Sequence, residues 1–204
     1  MYTSVIDLPY SAGLMSQSFW FQEFRQILRL WADGNDDESL KAMCGEQNFF
    51  GTVNAYRAKR MCGYLIRRKN ALDEEMINLF LHGDMPTQKV INLVAVVRGD
   101  HLFFDFINEV YREKALLGML ELTYADVNAF FTRKASESSI VSDWNESTIK
   151  HLRSSYLDFM GGANLLSGSK GNRLITTPVI EMALERKLLK DGDESILKAI
   201  GGMR

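Results

Sequence analysis

Residues 146–177 of the 204-residue chain read ESTIKHLRSSYLDFMGGANLLSGSKGNRLITT. Apolar residues recur at helical spacing over Thr148–Met160, which predicts an amphipathic helix with one buried stripe. Ser147 is the expected cap of this helix, because its hydroxyl can accept a hydrogen bond from a free backbone N–H of the first turn. The pair Gly161-Gly162 is the expected end, because glycine readily adopts the left-handed conformation that closes many helices.

A short β-hairpin is predicted directly after this helix. The turn Gly168-Ser169-Lys170-Gly171 separates two short apolar runs, at 165–166 and 174–175, as expected of two strands and their connection. Upstream, a helix is predicted over Tyr124–Ala135 with Thr123 as its cap. A pair of helices, a glycine-ended turn and a hairpin follow each other in this order in winged helix-turn-helix proteins, so the C-terminal part is expected to be winged-helix-like.

The remainder of the chain is predicted to be helical, since three prolines in 204 residues leave room for long helices. We therefore predict an all-α fold with one small β-hairpin. Residues 1–120 form a helical domain and residues 121–204 the winged-helix-like part, with one continuous domain as the alternative. The predicted helices outside the winged-helix-like pair are Ser16–Trp31, Asp37–Cys44, Thr52–Lys69, Asp73–His82, Pro86–Val97, His101–Leu117, Pro178–Leu189 and Glu194–Ile200. Ser16 and Thr52 are the expected caps of the first and third of these helices, and residues 136–145 are expected to form a polar loop.

Composition narrows the class of protein. The formal net charge of −2 and the pI near 6.0 disfavour a protein that coats nucleic acid with its whole surface. The two cysteines, Cys44 and Cys62, are too few for a structural zinc site and are expected to be buried thiols. No signal peptide is visible, and the longest apolar run, around Val90–Val97, is too short to span a membrane. We expect a cytoplasmic protein without metal or cofactor.

One predicted helix, Thr52–Lys69, carries six basic residues and no acidic one. At about 100° per residue, four of its arginines share an arc of about 100°, while the apolar residues occupy another side. Tyr56 and Tyr64 lie in or beside the basic arc, where tyrosine can bond to phosphate or stack on a base. Guanidinium groups pair well with phosphate, so this face is expected to bind nucleic acid. The arginines of the arc are Arg57, Arg60, Arg67 and Arg68.

Internal neutralisation is the alternative interpretation of the same face. Acidic residues at the start of the next helix, Asp73, Glu74 and Glu75, could pair with the arginines. The aliphatic stems of arginine also cover apolar surface well. The sequence alone leaves both interpretations open.

A second basic surface is expected on the winged-helix-like part. The outer face of the Thr148–Met160 helix carries Lys150 and His151 among serines, a mixture suited to base edges and phosphates. Lys170 and Arg173 lie on the proposed wing, where backbone contacts are expected. Asp158 on the same face opposes phosphate binding, and an ordinary solvated helix surface is the alternative.

Catalytic motifs are not found. None of His82, His101 and His151 has a second histidine one helical turn away, as a helical metal pair requires. The segment 162–170 has the wrong spacing for a phosphate-binding loop and leads into a strand instead of a helix. We therefore expect binding and not catalysis, and no small-molecule substrate.

Five segments of the chain give it a resemblance to the BrxA family of BREX (bacteriophage exclusion) systems. That resemblance implies a non-enzymatic, DNA-binding accessory factor of phage defence, acting with other BREX components. It also implies a helical core similar to that of the antitermination factor NusB, which binds RNA and a ribosomal protein; such a likeness of fold is weak evidence for substrate. The segments are Trp20–Phe24, Ala55–Arg60, Phe106–Val110, Glu146–Lys150 and Gly162–Leu166.

The leading expectation is binding of double-stranded DNA through its phosphates. A protein-interaction adaptor within the defence complex and an RNA-binding, NusB-like factor are the alternatives. The expected main contacts are Arg57, Arg60, Arg67 and Arg68, with Lys59, Lys150, Lys170 and Arg173 as secondary contacts.

Overall fold

The computed structural model describes residues 4–46, 50–51, 54–169 and 171–202. Within these ranges the chain is mainly helical with one two-stranded sheet, so the predicted fold class is confirmed. The strands are β1 (Leu166–Ser169) and β2 (Asn172–Ile175). The helices are α1 (Phe21–Ala32), α2 (Asp37–Glu46), α3 (Ala55–Asn70), α4 (Glu74–His82), α5 (Met85–Val97), α6 (His101–Phe106), α7 (Glu113–Leu116), α8 (Tyr124–Glu137), α9 (Ser139–Ser142), α10 (Glu146–Gly162), α11 (Met182–Asp191) and α12 (Glu194–Ala199).

Side-chain caps begin several of these helices, and two of the predicted caps are wrong. Thr123 caps α8 as predicted, in a reciprocal capping box with Asp126. Helix α10, in contrast, begins two residues earlier than predicted, because Asn145 and not Ser147 is its cap and accepts the backbone N–H of Thr148 at 2.8 Å. Ser16 caps no α-helix and ends a 3-10 turn, Gly13–Ser16.

Three further segments differ from the sequence prediction. The helix predicted over 101–117 is interrupted by a π-helical turn, Ile107–Arg112, between α6 and α7. The predicted polar loop 136–145 contains the short helix α9. The helix predicted from Pro178 begins only at Met182, and the segment before it is not helical.

The hairpin of β1 and β2 is antiparallel, with Leu166 opposite Ile175. Strand β1 contains Gly168 at a φ of +87°, where an added Cβ would collide with the carbonyl oxygen of Asn172, so glycine is required there. A third segment joins the other side of β2 through a bridge between Glu121 and Leu174. The order across this small sheet is therefore residue 121, β2, β1.

One cluster of buried apolar side chains runs through both halves of the chain. Phe103 of α6 packs against Tyr156 of α10 with ring centroids 4.7 Å apart, and Phe106 packs edge-on against Phe130 of α8 at 5.1 Å. These contacts cross the boundary predicted at residue 120. The predicted division into two parts therefore runs through a shared core.

The segment before α1 also links the two halves. The carbonyl of Phe19 accepts a hydrogen bond from Asn92 of α5 at 2.9 Å. The Phe19 ring lies edge-on to Phe159 of α10, 6.1 Å between centroids. It also lies so close to Gly162 that a Cβ added there would meet the ring.

Candidate nucleic-acid interface

Helix α3 is fixed to the protein by one apolar side. Its predicted cap, Thr52, lies outside the described residues, and Asn54 caps the helix by accepting the N–H of Arg57 at 2.8 Å. The helix packs against α1, α2 and α5. Ala55, predicted on the buried side, is exposed at the helix start; the other predicted apolar positions are buried, namely Ala58, Met61, Cys62, Leu65 and Ile66.

The opposite side of α3 is exposed and basic. Arg57, Lys59, Arg60 and Arg67 are exposed, and none of the four takes part in an ion pair with any described residue. The guanidinium of Arg67 lies over the Tyr64 ring, 4.6 Å from its centroid. Three of the four predicted arginines of the arc are thus available to an external anion.

Arg68, the fourth arginine of the predicted arc, is buried, and its expected role as an external contact is corrected by the structure. Its guanidinium donates hydrogen bonds to the carbonyls of Ser18 and Phe19, both at 2.8 Å, and to the side chain of Gln17 at 3.0 Å. The guanidinium also lies between the rings of Trp20 and Phe159. Arg68 therefore holds the segment before α1 in place.

The charge of Arg68 is compensated only weakly. Its three hydrogen-bond acceptors are neutral, and the negative charge that acts on it is that of Glu23, with which it forms no ion pair. Burial lowers the pKa of Arg68 to about 9, with Glu23 opposing the shift. The side chain consequently remains protonated at neutral pH, and its two terminal nitrogens make hydrogen bonds instead of an ion pair. Its buried Nε has no hydrogen-bond partner among the described residues.

The acidic residues proposed to neutralise α3 are directed elsewhere. Asp73 accepts a hydrogen bond from Lys187 of α11 at 2.6 Å, and Glu75 pairs with Lys190 at 2.6 Å. Only the last basic residue of α3, Lys69, is neutralised, by Asp37 of α2 at 2.6 Å. Among the described residues, internal neutralisation therefore applies to the end of α3 and not to its exposed face.

A cation that sequence analysis missed lies next to α3. Lys41 of α2 is exposed. Burial alone would raise the pKa of Asp37, but hydrogen bonds from Lys69 and Asn70 lower it, and the charge of Lys41 lowers it further. A helical wheel describes one helix, so it cannot place a charge from the helix beside it.

The predicted second surface on α10 and the wing is less basic. Lys150 and His151 are exposed, whereas Ser155, predicted on the same face, is buried. Arg173 of β2 is turned back towards α10: it donates to the carbonyl of Leu157 at 3.1 Å and lies 3.7 Å from Asp158. The free phosphate contact predicted for Arg173 is corrected accordingly. Lys170 lies outside the described residues.

The histidines and carboxylates form no metal cluster within the described ranges. His82 bonds to the carbonyl of Asn78 at 2.9 Å, and His101 bonds to that of Leu8 at 2.8 Å. No helix in the described part of the chain is both long and apolar enough to cross a membrane.

Comparison with known proteins gives the family. The BrxA family model matches residues 8–192. The chain belongs to the BrxA family. A relative in this family, the BREX protein BrxA of Bacillus cereus (strain H3081.97), is 31% identical over 189 residues, which cover 93% of this chain and 94% of that protein.

The fold of this BrxA family member is also found in a solved structure. The crystal structure of an uncharacterized protein from Magnetospirillum magneticum matches 94% of this chain and 97% of its own, with a TM-score of 0.78 and 16% sequence identity. At that identity the match shows a shared fold only.

Proposed function

We propose that this protein binds duplex DNA through the exposed face of α3, as a component of a BREX phage-defence system. The observation that carries the proposal is the set of four exposed cations on one side of this helix, none of which is paired with a described carboxylate. We call this surface, formed by Arg57, Lys59, Arg60 and Arg67, the α3 basic face.

Electrostatics favours an external polyanion at the α3 basic face. Like charges one helical turn apart, such as Arg57 and Arg60, destabilise a helix unless an opposite charge compensates them. No acidic residue occurs within α3 to do so. Phosphate groups would compensate these charges and accept paired hydrogen bonds from guanidinium. The exposed Tyr56 adds a hydroxyl and a ring on the same side.

The topology of residues 121–175 supports a second contact. Helices α8 and α10, the hairpin, and the added bridge at Glu121 follow one another in the order typical of a winged helix. In such proteins the exposed face of the second helix enters a groove of the DNA. Lys150 and His151 occupy that face of α10, with Lys170 of the turn as a further candidate. Because Arg173 is held against α10, it would have to turn outward to contribute.

The place of this activity follows from the family. The Bacillus cereus relative is a BREX protein, and systems of that kind exclude bacteriophages. We propose that the protein acts with other BREX proteins on host or phage DNA in the cytoplasm. The α3 basic face supplies affinity for any duplex, and a partner would supply the chemistry.

The carboxylates of one large cavity favour binding over catalysis. This cavity of about 830 Å³ lies between the start of α5, the hairpin and residues 176–181. Its two carboxylates are already engaged: Asp84 caps α5 by accepting the N–H of Thr87, and Glu181 accepts the hydroxyl of Thr87 at 3.3 Å. These contacts give both carboxylates a structural role at the start of α5, and we propose that the protein is not an enzyme.

The test is a salt series of duplex DNA binding for the wild type and for Arg57→Ala/Arg60→Ala/Arg67→Ala. Each phosphate contact contributes about 0.9 to the slope of log K against log salt. The triple variant should lose a slope of about 3 and bind roughly 100-fold more weakly at physiological salt. A matched control, Arg186→Ala/Lys190→Ala/Lys198→Ala, removes the same charge from α11 and α12.

Each result separates the candidate functions. Equal losses in both triple variants would mean that net charge alone drives association, and the α3 basic face would not be the site. A wild type that binds single-stranded RNA more tightly than duplex DNA would favour the NusB-like alternative. No binding of either nucleic acid at low salt would refute the proposal and favour the protein adaptor.

A further inference from the structure

The cavity between the start of α5, the hairpin and residues 176–181, which we call the hairpin cavity, has an apolar floor. Val90, Ala163 and Leu166 line it, and all three are buried. Val179, also among the lining residues, is 87% exposed. The volume of about 830 Å³ lies within the range of ligand sites, about 300–1,000 Å³. The hairpin cavity therefore has the size and the apolar surface of a binding site.

The charged groups that line the hairpin cavity are carboxylates, with no lysine or arginine among them. Asp84 and Glu181 each use one oxygen to accept a hydrogen bond from Thr87, and the other oxygen of each bonds to no described residue. The hydrogen bonds from Thr87 hold the pKa of Asp84 below its usual range, so this group is charged at neutral pH. Lys89, outside the lining, is bound to Asn164 at 3.2 Å. The hairpin cavity thus favours a cation and disfavours phosphate.

The open edge of β1 borders the hairpin cavity at Leu166. Ile175 lies opposite Leu166, but its N–H donates to the carbonyl of Leu120 on the other side of β2, at 2.8 Å. The next residue, Thr176, donates its N–H to Leu165 instead, at 3.0 Å. Residues that bond across an antiparallel pair alternate with residues that do not, so the N–H and C=O of Leu166 point to the open edge. Neither group bonds to another described residue.

An unpaired strand edge beside a cavity is suited to an extended peptide. The backbone of such a peptide pairs with the edge, and its alternate side chains enter the pocket. The carboxylates select a basic side chain, and the apolar floor selects apolar neighbours. We infer that the hairpin cavity and the edge of β1 together bind an extended segment of a partner protein, in which lysine or arginine alternates with apolar residues.

The first experiment identifies the preferred peptide. The full chain is applied to an array of short immobilised peptides in which valine alternates with one test amino acid, a different one on each spot. Valine favours the extended conformation, so the spots differ mainly in the test side chain. Lysine and arginine spots should bind the wild type most strongly, and aspartate and glutamate spots should not bind it. The best peptide is then labelled with fluorescein, and its Kd is measured by fluorescence anisotropy.

Asp84→Asn/Glu181→Gln tests the carboxylates without disturbing the fold. Asparagine caps helices as well as aspartate does, and glutamine keeps an oxygen for the hydroxyl of Thr87. Hydrogen bonds to charged groups are the stronger ones, so the variant should bind the peptide about 10-fold or more weakly. The matched control, Asp33→Asn/Glu38→Gln, removes the same charge from exposed positions outside the cavity and should keep the wild-type Kd. Duplex DNA binding should survive in both variants, which separates this site from the α3 basic face.

N-methylation of the peptide tests its pairing with β1. Neighbouring residues of a strand direct their N–H groups to opposite sides. A methyl group on the amide that faces Leu166 should therefore weaken binding about 10-fold or more, while a methyl group on either adjacent amide should leave it unchanged.

An array without preference for basic peptides would overturn the inference. So would equal losses in the two double variants, because net charge alone would then account for binding. Tolerance of N-methylation at every position would show that only a cationic side chain is recognised and would overturn the pairing with β1.

Discussion

Two neighbouring arginines of α3 should respond in opposite ways to replacement by alanine. Arg67 is exposed on the α3 basic face, and Arg68 is buried under the segment before α1. We predict that Arg68→Ala destabilises the fold and leaves DNA affinity intact in the folded protein. Arg67→Ala should weaken DNA binding and leave stability intact.

The size of the Arg68→Ala effect follows from its contacts. Three hydrogen bonds from a charged donor are lost, each contributing about 1.5–3 kcal/mol, and the stem leaves a cavity beside Phe159. Relief of the buried charge offsets part of this loss, as the lowered pKa of Arg68 indicates. A net destabilisation of about 3 kcal/mol corresponds to a fall in Tm of about 6–12 °C in a chain of this length. Arg67→Ala, at the surface, should change stability by less than about 0.5 kcal/mol.

Two assays on the same preparations separate the effects. Thermal unfolding followed by circular dichroism gives Tm, and a salt series of duplex binding below both Tm values gives the slope. Arg67→Ala should lower the slope by about 0.9, the contribution of one phosphate contact. Arg68→Ala should leave the slope unchanged.

An Arg68→Ala variant that kept the wild-type Tm but lost DNA affinity would contradict the burial of Arg68. Arg68 would then be exposed in solution, and the arc of four arginines expected from sequence would be right after all. Loss of stability in Arg67→Ala would equally contradict its placement on the exposed side.

Two further substitutions test the interior and the hairpin. Burial raises the pKa of Asp100 from 3.8 to about 7, opposed by its hydrogen bond from the N–H of Phe103. Folding therefore favours the protonated acid, and this stabilisation, at most about 4 kcal/mol, is lost as pH rises from about 4 through about 7. Asp100→Asn keeps the hydrogen-bond acceptor but cannot ionise. As pH rises over this range, the free energy of unfolding of the variant, measured by urea titration, should therefore increase relative to that of the wild type. A difference between the two proteins that does not change with pH would contradict the burial of Asp100. Gly168→Ala should lower the free energy of unfolding by more than about 1 kcal/mol, because of its positive φ and the nearby Asn172 carbonyl; an unchanged urea midpoint would show that the turn can rearrange.

Local sequence patterns predicted which segments form helices and strands, but they predicted the first and last residues of those segments less well. The capping box of Thr123 and Asp126 is contained within one turn, so the start of α8 could be predicted. At the start of α10 the predicted cap was Ser147 and the actual cap is Asn145; serine and asparagine have nearly equal intrinsic preferences for this position. Packing of the completed helix chooses between them, and that information is not local.

The candidate site also depends on contacts between residues that are far apart in the sequence. The helical wheel places Arg68 at the edge of the basic arc, only about 20° from Arg57, and nothing in α3 itself distinguishes the two. What distinguishes them is a set of acceptors at residues 17–19, about fifty positions earlier in the chain. From α3 alone, all four arginines could be placed on the polar side of the helix, but the one that is buried could not be singled out.

The hydrogen-bonded segment under α3 has a mechanical consequence. Arg68 donates a hydrogen bond to the carbonyl of Phe19, and the Phe19 ring packs against Phe159 and Gly162 of α10. The α3 basic face and the outer face of α10 are thus joined without a flexible tether. Proteins with tethered modules gain affinity by letting each module search for its own stretch of DNA. In this protein no flexible linker allows the two faces to move apart, so a duplex that contacted both would have to fit the fixed distance between them.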